Sequence, residues 1–147
     1  MFPVRLLRGS VPVLSVTQAV NIEEAHSRFA KKMSLSELKT RAGRAKKKPA
    51  TRAAQTTAFV RDAAVAELAK RLAHGVCDLC GNTAPFLKRG NEPYLECHHV
   101  VWLAKGGEDH IENTVALCPN CHRRMHVLNL PSDLERLTAR IANRPSE

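Results

Sequence analysis

Two Cys-x-x-Cys pairs constrain this chain more than any other feature: Cys77-Asp-Leu-Cys80 and Cys118-Pro-Asn-Cys121, with residues 81–117 between them. Each pair can form a knuckle that gives two thiolates to one tetrahedral ion. Zinc, which asks only for four soft ligands, favours such a closed site. The separation exceeds an ordinary zinc-ribbon spacing, so a folded insertion has to lie between the knuckles. Disulfides are the weaker reading, because such frameworks belong to secreted domains and the start Met1-Phe-Pro-Val-Arg5 is no secretory signal. The fifth thiol, Cys97, reads as a small core residue facing away from its neighbour His98.

The insertion and the second knuckle also carry histidines. His98 and His99 follow the short run Leu95-Glu96-Cys97, and His122 and His126 follow Cys121 directly. Successive side chains on a strand point to opposite faces, so one of His98 and His99 can hold a metal while the other does something else. His122 and His126 lie one helical turn apart and can reach the same place. Imidazoles are metal ligands and proton carriers near neutral pH.

A chain of 147 residues fits one ordinary domain, but aromatic residues make up only 4% and the apolar count leans on Ala. A small folded C-terminal unit with appendages is therefore expected. The net charge of +9 is concentrated: from Arg28 to Arg52 there are ten Lys/Arg against the single acid Glu37. A positive block beside a neutral domain points to a polyanion, most often nucleic acid. The consecutive Lys46, Lys47 and Lys48 are the densest part of that block. Residues 1–57 read as a basic arm and linker, partly disordered, and 58–147 as the folded domain. Arg5 and Arg8 without an acid are faintly transit-like, yet Pro3 and Pro12 spoil a helix there. No apolar run approaches the ~20 residues that cross a bilayer, so a soluble, cytoplasmic protein is expected.

Coarse secondary structure places the motifs. Residues 1–21 read as irregular, Ile22 to about Lys39 as a basic helix, and Arg44–Thr57 as a linker. Ala58–His74 predicts a helix capped by Thr57 and stopped by Gly75. Pro85–Leu87 and Pro93–His99 predict two strands around a Gly90-Asn91 turn. A loop with a Gly106-Gly107 bend, anchored by Trp102, leads to the return segment Thr114–Leu117. Pro119 sits at a first helical position, so a helix over Asn120–Val127 presents His122 and His126 on one face. A last helix opens at Pro131 and runs to about Ala142, with Ser132 and Glu135 at capping-box spacing.

The run Leu95-Glu96-Cys97-His98-His99, then Gly106-Gly107, Asn113, and Cys118-Pro-Asn-Cys121-His122 with His126, resembles the HNH (ββα-metal) nuclease motif. Its Cys-bracketed form is similar to McrA-type HNH restriction nucleases, over about residues 58–130. The resemblance implies His98, His122 and His126 as ligands of a catalytic divalent ion, with His126 alternatively a phosphate contact. It implies His99 as the general base and Asn113 as the residue that holds the loop and orients that base. Cys77, Cys80, Cys118 and Cys121 would bind structural zinc. Cys97 departs from the family pattern, where Val or Thr is expected. Arg123, Arg124 and Lys105 read as phosphate contacts or, equally, as solvated charges, and Glu96 as a ligand-orienting partner or a surface strand residue.

The expected fold is therefore α+β, a small zinc-stapled ββα-metal domain with flanking helices and a basic N-terminal arm. The expected activity is metal-dependent hydrolysis of DNA phosphodiesters with Mg, Mn or Ni, in restriction of modified DNA. Two other readings stay open: a non-catalytic zinc module that binds nucleic acid, and the cutting subunit of a larger phage, mobile-element or restriction assembly. The partner is DNA, with a homodimer or a recognition subunit beside it.

Overall fold

The computed structural model describes residues 14–45, 48–49, 51, 54–55 and 58–145. Its Cα trace divides into two units, Met1–Ala58 and Phe59–Glu147. In the first unit β1 (Leu14–Ser15) leads straight into α1 (Val16–Lys31), α2 (Leu35–Gly43) follows, and β2 (Ala54–Gln55) pairs in parallel with β1. Both helices start on reciprocal serine caps. The Ser15 hydroxyl accepts from the Gln18 amide while Gln18 Oε1 accepts from the Ser15 amide, and Ser34 and Glu37 repeat the device.

These caps correct the sequence reading of this region. A helix already begins at Val16, inside the stretch expected to be irregular. The expected single helix from Ile22 is broken at Ser34, where the second cap restarts it. β2 lies in the stretch read as linker. Neither helix buries a residue, and Phe29 stays 58% exposed.

The second unit begins with α3 (Ala63–Leu72). It is shorter than expected because Asp62 caps it, with Oδ1 accepting from the Ala64 amide at 2.8 Å. Thr57, the expected cap, lies outside the described residues. Beyond the helix the chain turns through left-handed His74 and Gly75, the latter at φ +77°, and enters the first knuckle.

β3 (Glu96–His99) and β4 (Thr114–Leu117) form an antiparallel pair, with His98 opposite Val115 and His99 opposite Thr114. Of the two expected strands before the loop, only the end of the second is a true ladder. Leu87 and Pro93 form one isolated bridge, and the prolines at 85 and 93 lack the amide that would extend it. The return segment Thr114–Leu117 supplies the partner strand instead, and all of its residues are buried.

α4 (Pro119–Val127) and α5 (Pro131–Ala142) complete the unit, each with Pro in its first turn. The expected capping box on α5 does not form. The N-cap is Leu130, and Asp133 turns inward to the guanidinium of Arg124.

The core is one cluster: Ala73 at the C-cap of α3, Leu79, Leu95, Val115 and Leu117 of β4, Met125 of α4 and Leu137 of α5, together with Cys77 and Cys121. The first knuckle is docked onto β4 by Asp78. Its amide donates to the Ala116 carbonyl, its Oδ2 accepts from the Ala116 amide, and its Oδ1 accepts from Arg140 Nε, each at 2.9 Å. No helix among the described residues is long and apolar enough to cross a membrane.

Candidate active site

The sheet and α4 bring the expected ligands together. Ligand atoms of His98, His122 and His126 lie within 4.8 Å of one another. His98 comes from β3 and the other two from one face of α4, a turn apart. His98 is 2% exposed, and its Nε2 is buried without a hydrogen-bond partner among the described residues. Burial, reinforced by the neighbouring imidazoles, lowers its pKa to about 4, so the ring is a neutral donor.

The second imidazole of the cluster is oriented from behind. His122 Nδ1 donates to Glu96 Oε2 at 2.6 Å, and Tyr94 Oη donates to Glu96 Oε1 at 3.0 Å. With its proton committed to a carboxylate, His122 turns the lone pair of Nε2 toward His126 Nε2, 3.0 Å away. The His122 hydrogen bond, assisted by Tyr94, holds the Glu96 carboxyl below the usual range. A buried, unpartnered imidazole nitrogen and a carboxylate-oriented second one fit a divalent ion.

The four thiols of Cys77, Cys80, Cys118 and Cys121 form the second cluster, again with ligand atoms within 4.8 Å of one another. Tetrahedral zinc with ordinary Zn–S bonds needs sulfurs about 3.8 Å apart, close to that arrangement. Burial pushes the Cys77 and Cys121 thiols up, so four thiolates can share this space only around a cation. All five cysteines are free of disulfides.

A cavity of about 150 Å³ opens beside the histidine cluster. Its lining includes His99, Cys97, Trp102, Phe59 and Arg61. Cys97 therefore faces the site rather than serving purely as a core residue, and burial raises its thiol pKa. His99 is 6% exposed, and its Nε2 lies 2.7 Å from Asp109 Oδ1.

Asn113 ties the loop. Its Oδ1 accepts from the Val101 amide at 2.8 Å, and its Nδ2 donates to the carbonyls of Val101 at 3.0 Å and Glu108 at 2.8 Å. Gly107 is required in the same loop, since a Cβ there would overlap the Val101 carbonyl.

The expected phosphate contacts separate. Arg123 is exposed on α4. Arg124 grips Asp133 instead, with Nη2 donating to Oδ1 at 2.9 Å and Nε 2.8 Å from Oδ2. Lys105 Nζ sits 4.6 Å from the Trp102 ring centroid, a cation–π contact. Trp102 in turn packs on His126, with ring centroids 5.2 Å apart. Lys48 is exposed in the first unit, and Lys46 and Lys47 lie outside the described residues.

Sequence reasoning missed Asp109 and Arg61. Neither belongs to a periodic pattern, and both reach the site only through the closure of the β3–β4 loop and the approach to α3. Arg61 is near enough for its charge to act on His98, His126 and Asp109.

The HNH endonuclease family profile matches residues 77–127, the segment that holds both clusters. That segment is an HNH endonuclease domain. The Type IV methyl-directed restriction enzyme EcoKMcrA of Escherichia coli is 48% identical over 68 residues, covering 46% of this chain and 24% of that protein. The structure of the Type IV phosphorothioation-dependent restriction endonuclease ScoMcrA matches with a TM-score of 0.50 and 31% identity, over 56% of this chain and 16% of that one. Anaredoxin of Nostoc sp. is 38% identical over 39 residues, 26% of this chain and 51% of that protein. The HNH domain is thus of the McrA-like kind, and the chain spans about a quarter or less of the two restriction enzymes.

Proposed function

We propose that this chain is a metal-dependent endonuclease that hydrolyses DNA phosphodiester bonds through its HNH domain. The observation that carries the reading is the convergence of His98, His122 and His126 beside His99 on one cavity. The three imidazoles would hold the divalent ion, Mg, Mn, Ni or Co. Bound there, the ion supplies charge relief to the phosphoryl oxygens and to the leaving alkoxide.

The remaining work falls to side chains. His99 takes the proton of the attacking water, a task suited to an imidazole near neutral pH. Asn113 keeps the β3–β4 loop in the shape that presents His99. Arg61, at the cavity wall, and Arg123, exposed on α4, are the cations for the scissile and flanking phosphates. The four cysteines hold structural zinc, which fixes the knuckles that carry α3 and α4. The basic block from Arg28 to Arg52 adds affinity without reading sequence.

Restriction of modified DNA in the cytoplasm is the setting we assign, because the similar proteins are a methyl-directed and a phosphorothioation-dependent restriction enzyme. A second reading, the cutting subunit of a larger assembly, draws on the match covering only 24% of EcoKMcrA. In that case a recognition subunit selects the DNA, and a homodimer or a second site makes double-strand cuts.

The test uses end-labelled duplexes with and without methylated cytosine, incubated with Mg, Mn, Ni or EDTA. Cleavage that needs a metal and leaves 3′-hydroxyl and 5′-phosphate ends is expected, and bias toward the methylated duplex supports the restriction setting. Binding without cleavage under every metal would sink the nuclease reading for the chain acting alone.

A further inference from the structure

Asp109, on the loop between β3 and β4, is held from two sides. Its Oδ1 lies 2.7 Å from His99 Nε2, and its Oδ2 accepts from the Asp62 backbone amide at 2.6 Å. Asp62 is itself the N-cap of α3, so one carboxylate joins the loop, the end of β3 and the start of a helix. The Glu108 carbonyl next to it is fixed by Asn113 Nδ2. With both oxygens engaged and the adjacent backbone tied, the carboxylate has little freedom to swing away from the ring.

This arrangement decides which nitrogen of His99 can act. An ionised carboxylate only accepts hydrogen bonds, so the proton facing it sits on Nε2. A neutral imidazole has a single N–H, and Nδ1 is therefore left with its lone pair. Flipping the ring would set a C–H against Asp109 and lose the bond. An acid that locks a histidine tautomer is a known way of preparing a base, and replacing such an acid by its amide leaves the shape but offers the wrong donor.

We propose that Asp109, clamped by the Asp62 amide, is a positioning residue that fixes His99 as the Nε2–H tautomer and so makes Nδ1 the proton acceptor. The catalytic meaning rests on the nuclease reading above, whereas the tautomer itself can be read without any cleavage.

The experiment uses the full-length, zinc-loaded chain in Mg²⁺. Long-range proton–nitrogen correlation spectra of ¹⁵N-labelled histidine are recorded at about pH 8, where imidazole is neutral. Wild type should show His99 with a protonated Nε2 and a bare Nδ1. Asp109→Asn should disturb that pattern and lower kcat for plasmid nicking by about 100-fold, with KM and zinc content unchanged.

Wild-type His99 in the Nδ1–H form would overturn the proposal with no variant needed. So would an Asp109→Asn protein that keeps both the tautomer and a kcat within about threefold of wild type. A wild type that shows the Nε2–H ring yet never cuts would support the positioning and contradict the nuclease reading instead.

Discussion

Glu96 stands behind His122: its carboxylate accepts the Nδ1–H hydrogen bond at 2.6 Å and is steadied by Tyr94. Removing the negative charge while keeping the shape should loosen the ion. Glu96→Gln is expected to weaken Mn²⁺ binding at the histidine site by about 10–100-fold in isothermal titration. Equal affinity in the variant would mean that His122 needs no orienting partner. His98 gives a pH prediction for the protein with that site free of metal. Its folded-state pKa of about 4 lies below the ordinary 6.5, so the unfolded chain takes up the proton first as pH falls. Stability from this group is full above pH 6.5 and is lost between there and 4, by about 3 kcal/mol in all. Urea midpoints should show that slope in wild type and not in His98→Asn. At this scale the histidine and cysteine clusters were legible because their spacing is local: a turn on α4 and a knuckle on each side. Asp109 and Arg61 were not, since their approach to His99 and His98 comes from tertiary closure that no spacing encodes.

The elements are joined more tightly than their lengths suggest, and Asp78 is the joint. Its carboxylate is 2% exposed and serves the β4 backbone and Arg140, with Arg144 Nη2 at 3.7 Å. Arg144 in turn donates to the carbonyls of Ile111 and Thr114. Asp78→Ala keeps the backbone bond to the Ala116 carbonyl but removes the carboxylate that accepts from the Ala116 amide and Arg140, leaving those donors unpaired at a cost of about 3 kcal/mol. Urea unfolding of the zinc-loaded protein measures this, and a loss below about 0.5 kcal/mol would show that zinc alone holds the knuckle. The helices α4 and α5 could be read from their prolines and apolar spacing. The shape of the hairpin could not, because the apolar run from Pro93 to Leu95 reads like strand while the ladder begins only at Glu96. The caps show the same limit. Ser132 and Glu135 have capping-box spacing but make no box, whereas Ser34 and Glu37 have it and do.

The whole molecule joins a neutral cysteine-knuckle domain to a segment that carries ten Lys/Arg and one acid. On the proposed function, that segment sets affinity and the HNH domain sets chemistry. Replacing Lys46, Lys47 and Lys48 by Ala should weaken DNA binding across all sequences. It should also flatten the dependence of log K on log salt by about 0.9 for each phosphate no longer neutralised, with kcat at saturating DNA unchanged. An unchanged salt slope would remove the block from the interface. The family was legible in the sequence because two cysteine pairs, two histidine pairs and an Asn fall at fixed intervals. What chooses the DNA was not, since base readout depends on how a folded surface meets a groove, which no residue spacing encodes. The central claim is that His99 is the base of a metal-dependent nuclease, and one measurement addresses it most directly: nicking of supercoiled plasmid by wild type and His99→Ala in Mg²⁺, Mn²⁺ or Ni²⁺, with DNA binding followed in parallel. Metal-dependent nicking by wild type, reduced in His99→Ala by about 100-fold or more while binding is retained, is the predicted result. Equal nicking by both proteins would contradict it.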